Sequence, residues 1–460
     1  MRFGLYLLFI FALIAPINAT IIPASMIKVD DGFIVAGILY SGSELRPTNE
    51  HALIMKIDTN GEEIWNKTYS NAAAYSIVRV SNGYAVGGVA STGADAWVVK
   101  VDDAGGILWE KTYGCVGVQD SAVSIVADDG GVLAPLTITW CDGSNRDLWL
   151  IKIDEKGREV WKKVFDFKKY DSIKMIKRTN DGGFIAVGAV SEDLVNLNYD
   201  VWVMKFDAYG NEEWNKFFDF GLQEVAWDVA EFGDSYVIVG GSWVMMSCFK
   251  CADSNSYDLN STTIAKAFII SLDPNGNLKW KKFLEFGNIS SAWSVAVSNG
   301  KIVVSGIAVN VTGRYVWIST PEKIIAIHGV DFNIVSAIYG PMRMVEVEDG
   351  YLVTISGCNG SCLWLGKFSF DGKLMWERKY EFLNYTQIEK EETKNNISSD
   401  IRIREDNKEG EDLGINKVLI ENKSINSQRT ASEFNFDPNL SYAIILILLA
   451  FLLAYLVSKF

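Results

Sequence analysis

Residues 75–114 decide the fold, because they contain four short apolar stretches in succession: SIVRVSNG (76–83), YAVGGVAST (84–92), AWVVKVDDAG (96–105) and ILWEKTYG (107–114). Apolar residues alternate or cluster within each stretch over the length of one strand. An Asn-Gly pair, a polar loop and a glycine turn separate the stretches. Four short strands joined in this order predict one antiparallel sheet.

The end of this unit recurs along the chain. Six copies end in tryptophan: MKIDTNGEEIW (55–65), VKVDDAGGILW (99–109), IKIDEKGREVW (151–161), MKFDAYGNEEW (204–214), ISLDPNGNLKW (270–280) and GKFSFDGKLMW (366–376). A seventh, weaker copy is expected over residues 292–340, where AIYG (337–340) matches KTYG (111–114) but Val335 takes the place of the tryptophan. We therefore predict an all-β fold over residues 20–383, a seven-bladed β-propeller of four-stranded antiparallel blades.

The repeated residues have a structural explanation. An aspartate can accept backbone N–H bonds within a tight turn, a glycine can supply the positive φ, and a tryptophan can fill the wedge between blades. We assign this structural role to Asp58, Gly61, Trp65, Asp102, Gly105, Trp109, Asp154, Gly157, Trp161, Asp207, Gly210, Trp214, Asp273, Gly276, Trp280, Gly372 and Trp376. Calcium binding by these turns is the alternative, but they lack the ligand series of an EF-hand, so no metal ligand is assigned.

This D-x-x-G-x-x-x-W pattern with a following K-x-Y/F resembles the tandem repeats of secreted prokaryotic β-propeller proteins. It is also similar to the repeats of the quinoprotein alcohol dehydrogenase-like, or PQQ-like, propeller superfamily, in which one more residue usually separates the Asp from the Gly. The resemblance covers residues 25–380 and implies the propeller fold. No residue matches a quinone-binding or catalytic set, so no cofactor is predicted and cofactor-binding residues stay unknown.

The two ends of the chain predict export and a membrane anchor. Residues 1–19 have a short positive start, an apolar run and a small-residue cleavage site, as in a signal peptide; an uncleaved anchor is the alternative. Residues 384–438 are polar and mixed in charge, which predicts a flexible, disordered stalk. Residues 439–457 predict one transmembrane helix, and Lys459 in the tail, residues 458–460, favours a cytoplasmic C-terminus. The propeller is therefore expected on the extracytoplasmic side of the cell membrane, although a removable lipid-anchor signal would also end in an apolar tail.

Six cysteines in an exported chain favour disulfides. The candidates pair as Cys115 with Cys141, Cys248 with Cys251, and Cys358 with Cys362. A redox pair or half of a zinc site is the alternative for Cys248 and Cys251. Export also makes glycosylation possible at the sequons of Asn66, Asn260, Asn288, Asn310, Asn359, Asn384, Asn396, Asn422 and Asn439.

Loop lengths predict which edge of the propeller makes contacts. Loops between the second and third strands of a blade emerge on the same edge as loops between blades. The loops between second and third strands are expected to vary most in length. They are the segments 41–50, 191–198, 243–265 and 309–322. Variable loops on a rigid scaffold are typical binding sites. Polar residues of the first strands, Ser76, Ser124, Asp228 and Ser294, are expected to approach the central channel, although a solvated channel would also explain them.

Composition and motifs narrow the function. A formal charge of -14 excludes a nucleic-acid partner. The chain has only two histidines, His51 and His328, and no G-x-S-x-G motif, so we assign no catalytic residues. We interpret His51 as an exposed loop residue and His328 as a turn residue. The prediction is a non-enzymatic, membrane-anchored adhesion module that binds extracellular protein or glycan; a quinoprotein-like enzyme and a structural component of the cell envelope are the alternatives.

Overall fold

The computed structural model describes residues 20–43, 46–90, 95–114, 120–139, 146–167, 170–192, 198–243, 265–287, 289–310, 313–330, 342–358 and 362–381. The predicted signal peptide, stalk, transmembrane helix and tail lie outside these residues. Every regular element in the described ranges is a β-strand. No helix there is long and apolar enough to cross a membrane.

The strands follow one another in seven groups of four, and within each group they pair antiparallel. One parallel pair of residues joins the third group to the fourth, and another joins the fifth to the sixth. We call each group of four strands a sheet. The first two sheets consist of β1 (Thr20–Val29), β2 (Gly32–Ser43), β3 (Arg46–Ile57), β4 (Glu63–Ser70), β5 (Ala72–Val80), β6 (Gly83–Ala90), β7 (Asp95–Val101) and β8 (Ile107–Tyr113). The third and fourth consist of β9 (Val126–Asp128), β10 (Gly131–Thr139), β11 (Arg146–Asp154), β12 (Glu159–Phe165), β13 (Tyr170–Arg178), β14 (Phe184–Ser191), β15 (Asp200–Phe206) and β16 (Glu212–Phe218).

The remaining three sheets follow the same order. They consist of β17 (Gln223–Phe232), β18 (Ser235–Trp243), β19 (Ala265–Leu272), β20 (Leu278–Leu284), β21 (Ile289–Ser298), β22 (Lys301–Asn310), β23 (Gly313–Ser319), β24 (Ile324–Gly329), β25 (Arg343–Val347), β26 (Gly350–Gly357), β27 (Cys362–Ser369) and β28 (Leu374–Glu381). The all-β prediction and its four-stranded antiparallel sheets are confirmed.

The seven sheets form a closed, propeller-like ring. The first strand of each sheet contacts the first strands on either side, and β1 of the first sheet contacts β25, β26 and β27 of the last. Second strands such as β6, β14 and β26 are buried along their whole length, whereas fourth strands such as β8 are largely exposed. The first strands therefore lie nearest the axis and the fourth strands form the rim.

The sixth sheet differs from its prediction in one strand. Its fourth strand was expected to end at AIYG (337–340), but that stretch lies outside the described residues and the strand is Ile324–Gly329. The turn before it contains Pro321 and no glycine, and Ile325 packs against Gly372 where the other repeats place tryptophan. The repeat signal is therefore missing from a strand that forms normally.

The repeated turns are built around their aspartates. The Oδ1 atom of Asp58 accepts hydrogen bonds from the main-chain N–H groups of Asn60 and Glu62, both at 2.8 Å. These hydrogen bonds, that of Glu62 first, hold the pKa of Asp58 below its ordinary value. The same pair of bonds is made by Asp102, Asp154, Asp207 and Asp273.

The repeated tryptophans join one sheet to the next. Each lies on the turn glycine of the following sheet, in the pairs Trp65 with Gly105, Trp109 with Gly157, Trp161 with Gly210, Trp214 with Gly276 and Trp376 with Gly61. The turn of the sixth sheet has no glycine for Trp280, which is 36% exposed. Five of the seven junctions between sheets are thus sealed by the same contact, including the one that closes the ring.

Candidate functional site

Connections on one edge of the ring differ most in length. Those between second and third strands, and those between sheets, emerge on this edge, which we call the loop edge. Most of the expected loops at residues 191–198 and 243–265 lies outside the described residues. The expected loop at residues 41–50 is wrong, because β2 and β3 extend through most of it, and the loop at 309–322 is wrong because β23 occupies it.

A β-bulge interrupts the first strand in five of the seven sheets. The bulged residues, which have no partner in the pairing with the second strand, are Ala24, Tyr75, Lys174, Trp227 and Trp293. A bulge inserts one residue and changes the direction in which side chains point. Here it occurs at equivalent places in neighbouring innermost strands, so the inserted side chains can meet one another.

Four residues of the first strands meet at the axis, and we call them the axial cluster: Lys174, Trp227, Trp293 and Arg343. The rings of Trp227 and Trp293 stack with centroids 4.3 Å apart. The Nζ atom of Lys174 lies 5.6 Å from the centroid of the Trp227 ring. Arg343 donates from Nε to the carbonyl oxygen of Ala24 at 2.9 Å and from Nη1 to that of Trp293 at 3.4 Å. These contacts connect the first strands of the fourth, fifth, sixth, seventh and first sheets.

The axial cluster contains unused hydrogen-bond donors. Among the described residues, no partner accepts from the buried Nε1 atoms of Trp227 and Trp293. Arg343 is partly buried, and the described part of the chain gives it two carbonyl partners and no ion pair. Burial lowers the pKa of Arg343, and the charge of Asp228 opposes that shift. The cluster can therefore accept an anion with aromatic character.

The polar residues expected at the channel instead join neighbouring inner strands. Ser76 accepts a hydrogen bond from Ile125 N at 3.1 Å, and Ser124 accepts one from Ile176 N at 3.1 Å. The Oδ2 atom of Asp228 accepts from Ser294 Oγ at 3.1 Å. All four predicted channel residues are less than 10% exposed. They hold the ring together, and the bulged residues beside them reach the axis.

The loop edge holds a candidate metal centre. Carboxylate oxygens of Asp200, Asp219 and Glu224 lie within 4.8 Å of one another. Glu224 is fully buried. Burial raises its pKa to about 7, and the nearby charge of Asp219 adds to the shift. Asp200, Asp219 and Glu224 are too far apart in the sequence to form a recognisable motif. The only local pattern is that Asp200, like Asp95 and Asp147, lies two residues before a tryptophan.

Both histidines lie in strands, so the two interpretations of them are wrong. His51 is buried in β3, 4% exposed, at the position that Asp200 occupies in the fourth sheet. His328 lies in β24, where its ring stacks on Trp364 with centroids 5.8 Å apart and its Nε2 atom is 3.5 Å from Glu377. Neither histidine belongs to the axial cluster or to the carboxylate group.

Some of the other predicted site residues are described. Cys358 and Cys362 form a disulfide between β26 and β27. The other four cysteines lie outside the described residues. Asn66 is exposed on β4, and Asn310 ends β22 and accepts a hydrogen bond from Gly313 N at 3.1 Å. The remaining sequons, Asn260, Asn288, Asn359, Asn384, Asn396, Asn422 and Asn439, also lie outside the described ranges.

No family model and no curated protein matches this chain. Solved structures do match. A chimera of apocarotenoid oxygenase (ACO) and RPE65 is 10% identical, with a TM-score of 0.49 over 80% of this chain and 94% of its own. A mutant of the Synechocystis apocarotenoid oxygenase is 9% identical, with a TM-score of 0.48 over 80% and 94%. Sqt1 from Chaetomium thermophilum is 10% identical, with a TM-score of 0.44 over 79% and 88%.

These neighbours correct one prediction. Two of these neighbours are forms of an oxygenase, and the comparison contradicts the predicted adhesion module that binds protein or glycan. The identities and TM-scores carry no residue role over to this chain. Any function for the chain has to be argued from its own axial cluster and loop edge.

Proposed function

We propose that this chain is a seven-bladed β-propeller, anchored on the extracytoplasmic side of a membrane, that binds a small planar organic anion at the axial cluster. The observation that carries the proposal is Arg343, a partly buried cation whose described partners are two carbonyl oxygens. The signal-peptide and transmembrane patterns at the two ends of the sequence support the location.

The charge of Arg343 favours an anionic ligand. A guanidinium has five N–H donors, and two of them have partners among the described residues. Removing such a cation from water costs free energy that a carboxylate can restore through two parallel hydrogen bonds. Lys174 supplies a second cation, with its Nζ atom 5.6 Å from the centroid of the Trp227 ring. The two cations favour a ligand with at least one carboxylate.

The two tryptophans favour a planar ligand. Aromatic rings prefer offset stacking, and Trp227, which is partly exposed and stacks on the buried Trp293, offers a flat apolar ring beside the cations. Their buried indole N–H groups are donors that a ligand oxygen could accept from. A flat molecule with carboxylates at its edge would satisfy the rings and the donors together.

The test uses the full chain in detergent and follows tryptophan fluorescence during titration with terephthalate. We expect saturable quenching by terephthalate and none by its neutral diamide. Arg343→Gln should weaken binding by about tenfold or more, since a hydrogen bond to a charged group contributes about 1.5–3 kcal/mol. Arg378→Gln is the matched control, because Arg378 lies on the exposed β28 and pairs with Glu62.

Two outcomes would overturn the proposal. One is equal binding of the dianion and the diamide, which would show that charge does not select the ligand. The other is wild-type affinity in Arg343→Gln with a retained melting temperature. If Arg343→Gln lowers the melting temperature, Trp227→Phe gives a second readout, because it should reduce the quenching amplitude while the fold is kept.

A further inference from the structure

Three carboxylates meet on the loop edge at the junction of the fourth and fifth sheets. Asp200 is the first residue of β15, Asp219 follows β16, and Glu224 is the second residue of β17. One carboxylate oxygen of each lies within 4.8 Å of those of the other two. We propose that Asp200, Asp219 and Glu224 bind a divalent cation, with Ca²⁺ as the preferred ion.

Main-chain hydrogen bonds join the two sheets at this junction and hold the Asp219 carboxylate. The N–H of Glu224 donates to the carbonyl oxygen of Tyr199 at 2.8 Å, which joins the start of β17 to the residue before Asp200. The Oδ1 atom of Asp219 accepts from Gly221 N at 2.6 Å. Two sheets thus hold the carboxylates together before any ion arrives, as a cation site requires.

Glu224 supplies the observation that calls for a ligand. It is 0% exposed, and its Oε1 atom accepts hydrogen bonds from Leu222 N at 2.8 Å and Ser242 Oγ at 3.3 Å. Its Oε2 atom is buried and has no hydrogen-bond partner among the described residues. A buried carboxylate oxygen without a partner costs free energy, and a cation would remove that cost.

Two of the three carboxylates lack a counter-ion of their own. In the described part of the chain, neither Asp219 nor Glu224 pairs with a lysine or arginine, and the hydrogen bonds that they accept come from main-chain N–H groups and a serine hydroxyl.

The next junction shows how the chain balances the same positions when it supplies its own cation. There, Lys266, Glu285 and Ser290 take the places of Asp200, Asp219 and Glu224. The Nζ atom of Lys266 lies 2.6 Å from Glu285 Oε1. Lys266 thus supplies at that junction the positive charge that we infer a bound ion supplies beside Asp200, Asp219 and Glu224.

The oxygen-only ligand set and its spacing favour Ca²⁺. All three donors are carboxylate oxygens, which hard cations such as Ca²⁺ and Mg²⁺ prefer, and they lie within 4.8 Å of one another. Ca²⁺ accepts six to eight oxygen ligands in flexible geometry, whereas Mg²⁺ demands a tight octahedron. Asp219 is exposed, so water can complete the coordination shell from that side.

The test is calorimetric titration of the full chain in detergent with CaCl₂ after treatment with a chelator. We expect one saturable site and a rise in the melting temperature with Ca²⁺. Asp219→Asn, on an exposed residue, should weaken Ca²⁺ binding by about tenfold or more, and Glu224→Gln should do the same. Glu285→Gln, at the equivalent position of the next junction, should leave Ca²⁺ binding unchanged.

The alternative outcomes are distinct. Absence of saturable heat and of any change in melting temperature with Ca²⁺ or Mg²⁺ in the wild type would overturn the proposal. Wild-type affinity in a folded Asp219→Asn variant would also overturn it. Binding of terephthalate does not depend on these carboxylates, so failure of one proposal can be distinguished from failure of the other.

Discussion

The indole ring of Trp376, in the last sheet, lies against Gly61, in the turn of the first sheet, and closes the ring. A Cβ atom at Gly61 would be 2.8 Å from Cη2 of that ring, and Gly61 has a φ of +80°. The hydroxyl of Tyr380 donates to the carbonyl oxygen of Gly61 at 2.6 Å. A side-chain contact, rather than a shared strand, therefore joins the two ends of the ring.

Gly61→Ala should destabilise the protein by about 2–4 kcal/mol, because the new methyl group would meet Trp376 in addition to the cost of positive φ. Denaturant unfolding followed by circular dichroism measures the change. Gly182→Ala is the control: its φ is +86°, but nothing lies within 4 Å of the added atom. We expect about 1 kcal/mol there, and equal losses at both sites would show that the tryptophan contact is not tight.

Asp228→Asn should destabilise the protein by about 2–4 kcal/mol. Asp228 is 2% exposed; its Oδ1 atom lies 2.7 Å from Lys177 Nζ, and its Oδ2 atom accepts from Val295 N at 2.9 Å. The substitution removes the charge that four groups share, since Val229 N and Ser294 Oγ also donate to this carboxylate. Asp234→Asn, in an exposed pair with Lys279, should cost clearly less than Asp228→Asn in the same unfolding experiment, because solvent screens an exposed ion pair.

Glu224 should make stability depend on pH when no divalent cation is present. Its pKa of about 7 in the folded protein lies above the ordinary 4.5, so the folded state holds the proton more tightly than the unfolded state. Its contribution is fully present below pH 4.5 and is lost as the pH rises through 7. Unfolding free energies of wild type and Glu224→Gln, measured in chelator from pH 5 to 8, should therefore converge or cross as the pH rises.

A difference that stays constant across this range would contradict the assignment to Glu224. Carboxyls with lowered pKa values, such as Asp58, act at lower pH and cancel in the comparison. Addition of Ca²⁺ should reverse the trend, since ion binding stabilises the ionised form of the carboxylates.

Lys205→Met should raise the pKa of Asp181 toward its ordinary 3.8. Burial alone would raise that pKa, but hydrogen bonds from Lys205, Thr179 and Gly183 N lower it to about 2. The pair contributes stability that is present above pH 3.8 and is lost as the pH falls toward 2. Acid titration monitored by carboxyl NMR should show the shift, and an unchanged pKa would exclude the ion pair with Lys205.

The repeat could be predicted because its signals are local. An aspartate, a glycine and a tryptophan within eight residues define one turn and one strand, and each feature acts within its own hairpin or on the next turn. The sixth sheet lacks two of these signals, since its turn contains Pro321 and no glycine, and Ala326 takes the register position of the tryptophan. Its fourth strand was therefore placed about ten residues too late.

The two sites could not be predicted in the same way. A bulge inserts one residue and so shifts the alternation of side chains between the two faces of a strand. The sequence pattern around Trp227 and Trp293 therefore does not predict that their rings meet. Asp200, Asp219 and Glu224 each look like ordinary surface charges at strand ends. Only the pairing of four strands and the packing of two sheets bring them together.

Each sheet is formed by one uninterrupted segment of chain, and no strand is exchanged between the first sheet and the last. Whole units of this kind can be duplicated or deleted within a gene without changing which strands pair in the rest of the molecule. Five of the seven junctions pair a tryptophan with the turn glycine of the next sheet, and a duplicated unit would bring both members of that pair with it. A ring that grew by duplication would carry its own closing contact in every copy.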